Sequence, residues 1–304
     1  METEISALSC DSSHITSLIG LGNRYYPDGH PALSKDFLKW FYLDNPYGPA
    51  TLVIAHEEDL WIGLIALIPT VLECKGKLQK ACFAVNVLTH PDHRTKNLFV
   101  KMIKCARQTL AEQGVWLLGH PNANAVPGWK RQKMDFRDPL HLYLAKFNWI
   151  LPFRNTRRIS SLEQLRELPS DFWQSLTERP DTHLKYTPEF IAWRFLDAPH
   201  RKYVVSAVES RGNLLGLRVT RRFKGPVDLM VDFVAPVSML GDVLSSVSRP
   251  TLVMHSGFGC AANEIDRGCW KLPLRRAFPF FMTTWDGTSI VDGLSGITLA
   301  ASDF

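Results

Sequence analysis

The chain has 304 residues, 45% of them hydrophobic and 21% charged, with a formal net charge of +5. That length buries a sizeable core and suffices for two domains, and the composition excludes a disordered chain. The modest positive charge suits anionic small molecules. The basic residues fall in short clusters (130–133, 154–158, 221–224) rather than a long block, so nucleic acid is not an expected partner.

The longest apolar run, Ile62 to Leu72, is broken by Pro69 and falls short of the roughly 18–20 residues of a membrane span. The acidic start, Met1-Glu2-Thr3-Glu4, lacks the basic-then-apolar plan of a secretory signal. Six scattered cysteines form no Cys-x-x-Cys pair, which indicates neither a zinc site nor a redox motif. They read as reduced, mostly buried thiols of a cytoplasmic protein.

In chain order, Phe37, Trp40 and Phe41 share one face of a helix that Pro46 follows. A strand is expected over Thr51–Ala55, a polar turn at Glu57-Glu58-Asp59, and long strands over 61–73 and 79–89 joined by a turn at 74–77. His90-Pro91 ends the last of these. A polar turn then carries Arg94, Thr95, Lys96 and Asn97. The helix after it places Phe99, Met102, Ile103, Ala106 and Leu110 at helical spacing and stops near Gly114. Val115–Leu118 is a short buried strand closed by His120-Pro121-Asn122. A weaker helix runs to Met134, and 136–147 returns as strands. Beyond it, helices are expected over 162–178, 188–197 and 238–248. Strands are expected over 203–208, from Leu214, over 228–235 and over 251–255.

The chain repeats itself. Residues 36–64, DFLKWFYLDNPYGPATLVIAHEEDLWIGL, align without a gap with 189–217, EFIAWRFLDAPHRKYVVSAVESRGNLLGL. Trp40 meets Trp193, Asp44 meets Asp197, Pro46 meets Pro199, and Gly63-Leu64 meets Gly216-Leu217. A repeat this long indicates duplicated domains rather than a solenoid. The two tryptophans read as core packing. The polar turn is not repeated: after Ala235-Pro236 there is no basic or glycine-rich segment.

Residues 85–99 concentrate the chemistry. A strand that runs into a polar turn and a helix amino terminus presents amides lacking intrahelical acceptors, together with the positive end of the helix dipole. That geometry holds phosphate. With Trp40–Pro46, Gly63, HPDHRTKNLF (His90–Phe99) and HPN (His120–Asn122), the chain resembles the tandem-domain GNAT N-acyltransferases, whose Arg/Gln-x-x-Gly-x-Gly/Ala turn grips a pyrophosphate. The turn departs from that pattern. Thr95 and Asn97 stand where glycines are usual, and Phe99 stands at the third small-residue position. Asn tolerates left-handed backbone better than most residues, so Asn97 is a reasonable substitute.

The resemblance implies an α/β fold of two tandem GNAT-like domains, each a mixed, mostly antiparallel sheet flanked by helices. Residues 1–150 would bind acyl-CoA. Residues 151–304 would be a degenerate copy forming the other wall of the acceptor cleft, with the boundary near Leu151-Pro152-Phe153. It further implies that backbone groups of Val87, Leu88 and Thr89 meet the pantetheine and thioester. Arg94, Thr95, Lys96, Asn97, Leu98 and Phe99 would hold the pyrophosphate, and Asn122 would face the pantetheine from the opposite side.

His120 is the first candidate for the base, since imidazole titrates near neutrality, with capping of the strand end as its other reading. Asn86 could orient the substrate. Asp232 and His255 occupy comparable strand positions in the second copy and could serve the acceptor. His90 reads as shaping the turn, and Cys82 and Cys105 sit in apolar periodic contexts that favour burial. No metal is expected.

The expected donor is an acyl-CoA. The expected acceptor is a small-molecule primary amine, by family analogy that of a nucleotide-linked amino sugar for surface polysaccharide, with Arg218, Arg221 and Arg222 on the acceptor wall. A FemAB-like aminoacyl transferase and a non-catalytic CoA- or nucleotide-sugar-binding protein are the alternatives. Oligomeric state does not follow from the residues.

Overall fold

The computed structural model describes residues 3–74, 76–146, 154–180, 182–255, 262–273 and 278–283. The expected boundary at 151–153 and Cys260 lie outside the described residues. The first half comprises β1 (Glu4–Ser9), α1 (Ile15–Gly22), α2 (Lys35–Tyr42), β2 (Thr51–Glu57), β3 (Leu60–Cys74), β4 (Lys77–Thr89), α3 (Leu98–Glu112), β5 (Trp116–Gly119), α4 (Val126–Arg131) and β6 (Phe136–Ala145). The rest comprises β7 (Arg154–Ile159), α5 (Leu162–Arg166), α6 (Ser170–Thr177), β8 (Thr182–Leu184), α7 (Pro188–Ile191), β9 (Val204–Ser210), β10 (Asn213–Lys224), β11 (Val227–Val234), α8 (Leu240–Leu244), β12 (Thr251–His255), α9 (Ala262–Gly268), β13 (Cys269–Lys271) and β14 (Phe278–Thr283).

The strands form two mixed, mostly antiparallel sheets flanked by helices, as the resemblance implies. One runs β1-β2-β3-β4-β5-β14-β6 and the other β6-β12-β11-β10-β9-β7, so β6 belongs to both. Its first residues pair with β14 and its last with β12 and β13. Parallel pairing joins β4 to β5 and β11 to β12. β14, near the chain's end, lies between β5 and β6, and β8 adds to the end of β3. The halves therefore complete each other's sheets.

One face of the first sheet is covered by α3 and α4, with Met102, Ile103, Leu110 and Trp129 buried against Val53, Ile65 and Leu117. The opposite face packs under α1 and α2 into a core continuous with the second half, from Leu64 and Phe41 through Phe195 to Val219. At its centre the repeat helices meet. Trp40 Nε1 donates to the Trp193 carbonyl at 2.7 Å, and Trp193 Nε1 donates to the Trp40 carbonyl at 2.9 Å. The two indoles stack with centroids 5.4 Å apart. Arg194, where the first copy has Phe41, is buried over the rings of Trp40, Phe195 and Tyr203.

The repeated glycines have the same use in each half. A Cβ on Gly63 would meet Met102 Sδ of α3 at 2.8 Å, and one on Gly216 would meet the Val234 carbonyl at 2.6 Å and Val243 Cγ2 of α8 at 2.9 Å. Neither position admits a side chain without parting the layers.

Two expected helices are shorter than their periodicity. The 162–178 segment divides into α5 and α6 because Pro169 biases the residue before it away from helix and then opens α6. The 238–248 segment yields only α8. There Ser245 Oγ donates to the Gly241 carbonyl and Ser246 Oγ to the Val243 carbonyl, bonds that compete with further helical turns.

Replacing either tryptophan by phenylalanine keeps the ring but orphans a buried carbonyl. Each of Trp40→Phe and Trp193→Phe is expected to cost ~1–3 kcal/mol in urea unfolding. The double variant should cost less than the sum, because the two bonds share one interface. Additive losses would mean that the two bonds act independently.

Candidate functional site

The site begins where β4 loses regularity. Leu64 pairs with Leu88 and Ala66 with Val85, so β4 carries one extra residue there, and Asn86 takes a left-handed φ of 46°. On its other side β4 pairs with β5 only as far as Ala84 opposite Gly119. Beyond that point Val85–Thr89 and His120–Asn122 diverge. Two cavities occupy the opening. One, of about 330 Å³, is lined by Tyr26, Asn86, His120 and Trp129. The other, of about 450 Å³, is lined by Tyr25, Thr89, Arg94 and Phe99. Both include Val87, Leu88 and Asn122 in their walls.

The polar turn is a 3-10 segment over Pro91–Lys96, which contains Arg94, Thr95 and Lys96. It delivers the chain to Asn97, the N-cap of α3, at φ 54° and ψ 24°. This is the left-handed conformation that glycine would otherwise supply. The first helical bond of α3 runs from the Lys101 amide to the Asn97 carbonyl. The amides of Leu98, Phe99 and Val100 therefore have no acceptor within the helix. The Leu98 side chain is buried, so what it can offer a ligand is main chain.

Phe99 fits by a compensating change. Its ring lies against Gly128 of α4, where a Cβ would come within 2.3 Å of it, and packs edge-on to Trp129 at 5.7 Å. The small residue missing from the turn stands on the facing helix instead.

Histidines brace the turn. The His90 amide donates to the Ile62 carbonyl, and its ring accepts from the Asp92 amide and lies 2.5 Å from Arg24 Nη1. This is the shaping role read for His90. His93 sits 3.5 Å from Glu57, which also accepts from Thr3 Oγ1 at 2.7 Å. Arg94 Nε donates to the Thr89 carbonyl at 3.4 Å.

His120 follows β5 directly and shares a cavity wall with Asn86 and Tyr26. The Asn86 amide is occupied inside the protein. Tyr26 donates to its Oδ1 at 3.3 Å, and its Nδ2 donates to the Tyr42 hydroxyl at 2.6 Å. Burial raises the pKa of both tyrosines. Tyr26 is further held by stacking on His30 at 4.1 Å. Asn122 is exposed, and its Oδ1 accepts from the Ala125 amide at 2.9 Å, capping the approach to α4.

Burial pushes the Cys82 thiol up to about 12, and it raises Cys105 as well, which suits packing rather than nucleophilic work. Among the described residues no group of three or more His, Cys, Asp or Glu could hold a metal ion, and no helix is long and apolar enough to cross a membrane.

Asp232 lines neither cavity. It is fully buried on β11, accepting from the Tyr186 hydroxyl at 2.9 Å and the Phe233 amide at 2.8 Å. His255 ends β12. The position of Asp232 is nonetheless informative, because the second half repeats the first half's irregularity. Val219 pairs with Asp232 and Thr220 with Met230, which again leaves one extra residue, and β11–β12 pairing stops at Met230 opposite Val253. Asp232 lies two residues before Val234, the partner of Leu217, as Asn86 lies two before Leu88, the partner of Leu64. Each accepts from a tyrosine in the segment preceding the repeat helix.

In the second half the corresponding backbone is bonded within the protein. Buried Arg179 donates to the Ala235 carbonyl at 3.0 Å, at the position matching Thr89. The chain then passes through a three-residue 3-10 turn, Val237–Met239, into the short α8. Arg218 and Arg222, expected on the acceptor wall, bond Ser246 and pair with Asp228 respectively.

Residues 25–120 match the acetyltransferase (GNAT) domain family. No curated protein matches the chain in sequence. Among solved structures, the chain is similar to a conserved protein of unknown function from Enterococcus faecalis described as a probable N-acyltransferase. The TM-score is 0.68 at 10% identity, covering 94% of this chain and 73% of that one. It is similar to a GCN5-related N-acetyltransferase from Anabaena variabilis, with a TM-score of 0.63 at 10% identity, covering 93% and 73% of the two chains. It is also similar to the Saccharomyces cerevisiae N-myristoyltransferase with bound myristoyl-CoA, with a TM-score of 0.51 at 12% identity, covering 91% and 82%. The chain thus has a GNAT-like fold over most of its length, and residues 25–120 match the GNAT acetyltransferase domain family.

Proposed function

We propose that this protein is an N-acyltransferase that moves an acyl group from acyl-CoA to a primary amine, with residues 1–150 binding the donor and 151–304 forming the other wall of the acceptor cleft. One arrangement carries the reading. A strand pair that opens after Ala84 and Gly119 leads to a helix amino terminus set by a left-handed Asn97. The opening has the shape for an extended pantetheine arm, and the amides of Leu98, Phe99 and Val100 are donors for a diphosphate.

In the reaction the amine nitrogen bonds to the thioester carbonyl carbon, the C–S bond breaks, and the sulfur leaves as thiolate. The backbone of Val87–Thr89 borders the cavities and supplies donors for the oxyanion, an effect worth a few kcal/mol in comparable sites. His120, on the wall of the inner cavity, takes the amine proton. Thr95 and Lys96 belong to the diphosphate cradle by their place in the turn. Asn86 acts by fixing Tyr26 at the cavity wall, and Asp232 by holding the second half's counterpart.

The acceptor proposed is an amino sugar, nucleotide-linked and destined for surface polysaccharide, in a cytoplasmic reaction. The tandem arrangement and the net positive charge support it.

Isothermal titration with acetyl-CoA and myristoyl-CoA is expected to show one acyl-CoA bound per chain, because in the second half the Ala235 carbonyl, at the position matching Thr89, is already bonded to Arg179. No heat with either would leave a non-catalytic scaffold. Asn97→Asp places a carboxylate at the cradle and should weaken acyl-CoA binding by about tenfold or more, while Asn97→Gly stays within about twofold. Equal affinities would move the diphosphate elsewhere. His120→Ala should lower turnover by roughly 10²-fold with a nucleotide-linked amino sugar as acceptor, at near-normal acyl-CoA affinity. An unchanged rate across pH would make His120 a strand-end cap.

A further inference from the structure

We infer that Arg24, Tyr25 and Arg94 form a second binding site for phosphate oxygens, beside the amides of α3. None of the motifs in the sequence points to Arg24 or Tyr25. They follow α1, whereas Arg94 belongs to the turn more than sixty residues later; Tyr25 and Arg94 line one cavity, and Arg24 reaches the turn at His90.

Arg24 is exposed, and its Nη1 is anchored 2.5 Å from Nε2 of His90, the residue that opens the turn. Arg94 is also exposed and reaches back to the Thr89 carbonyl through a long contact of 3.4 Å. Tyr25 lines the 450 Å³ cavity together with Arg94. Its hydroxyl is buried and has no hydrogen-bond partner. Both guanidinium charges act on that hydroxyl, opposing the upward push of burial on its pKa.

Three physical arguments converge on an anion. Buried hydroxyls in folded proteins are nearly always bonded, so an orphan on a cavity wall marks a place where a ligand supplies the partner. Among the described residues neither Arg24 nor Arg94 is in an ion pair, so their charges are not cancelled locally. The nearby carboxylates are directed elsewhere: Asp92 lies 3.7 Å from His90 Nδ1, and Glu57 serves Thr3 and His93. Finally, guanidinium groups present a planar fork of donors that matches phosphate oxygens. A carboxylate would suit one fork, but two guanidinia and a hydroxyl offer more donors than it can accept.

The chemistry named is a phosphate or diphosphate group. It has two sources under the proposed function: the diphosphate of acyl-CoA, or a phosphate carried by the acceptor.

The test uses the full chain with Arg24→Gln and Tyr25→Phe. Inorganic pyrophosphate should bind the wild type, and each variant should weaken it by about fivefold or more. Tyr25→Phe removes an unsatisfied buried hydroxyl, so its melting temperature should not fall. Affinity lost without stability lost separates a ligand contact from a structural one. If acyl-CoA is the source, the variants lose affinity for acetyl-CoA but not for S-acetylpantetheine, which lacks the diphosphate. If the acceptor is the source, acetyl-CoA affinity is unchanged, and the variants lose inorganic phosphate binding to protein saturated with acetyl-CoA. Pyrophosphate that fails to bind, or binds both variants as it binds the wild type, overturns the inference. A wild type that binds pyrophosphate through Arg24 but no acyl-CoA keeps this site and removes the transferase reading.

Discussion

β5 leaves β4 after four paired residues, and the rest of the molecule is arranged around that departure. The extra residue at Asn86 bends β4 away from its neighbour, and the left-handed backbone it requires is held by two tyrosine hydroxyls. Without that local twist the two strands would continue as a ladder and bond their own amides and carbonyls. With it, five residues of β4 have backbone edges turned toward a cavity. The turn beyond them then swings the α3 amides to the cavity's outer end. Under the proposed function the chemistry is largely main chain, which is why so few side chains announce it.

The two halves are joined through their repeat helices and share an irregular strand. The reciprocal indole bonds between Trp40 and Trp193 lock the halves about their repeat helices, and β14 and β8 complete the first sheet while β6 completes the second, so each sheet depends on the other half. The second half carries the same extra residue and the same strand divergence. There the polar group is Asp232, buried and bonded to Tyr186, and the Ala235 carbonyl is bonded by Arg179. One copy has converted the irregularity into an open cavity. Buried Arg194 lies over the rings of Trp40, Phe195 and Tyr203 where the repeat helices meet.

Local rules made much of this readable. The gapless repeat showed a pattern common to the two halves, and its two glycines prove to be points of close contact. The long strands and α3 followed from periodicity, and the left-handed backbone at Asn97 followed from the tolerance of asparagine for that region. What escaped was non-local. No periodicity tells that Phe278–Thr283 pairs with a strand far earlier in the chain, or that β6 serves two sheets. The room for Phe99 is made by Gly128 on another helix. Tyr25, Tyr26 and Arg24 gain their meaning only when α1 is packed beside β4. Asp232 was placed correctly on its strand, but its burial depends on Tyr186 reaching over it.

The central claim is that the backbone between Val85 and Val100 clasps an acyl-CoA and that its counterpart in the second half does not. Amide hydrogen exchange with and without acetyl-CoA tests this at the level of the main chain. Added protection is predicted at residues 85–89 and 98–100, with none at 231–235. Unchanged exchange in the first segments, or protection that appears in the second, would contradict the account.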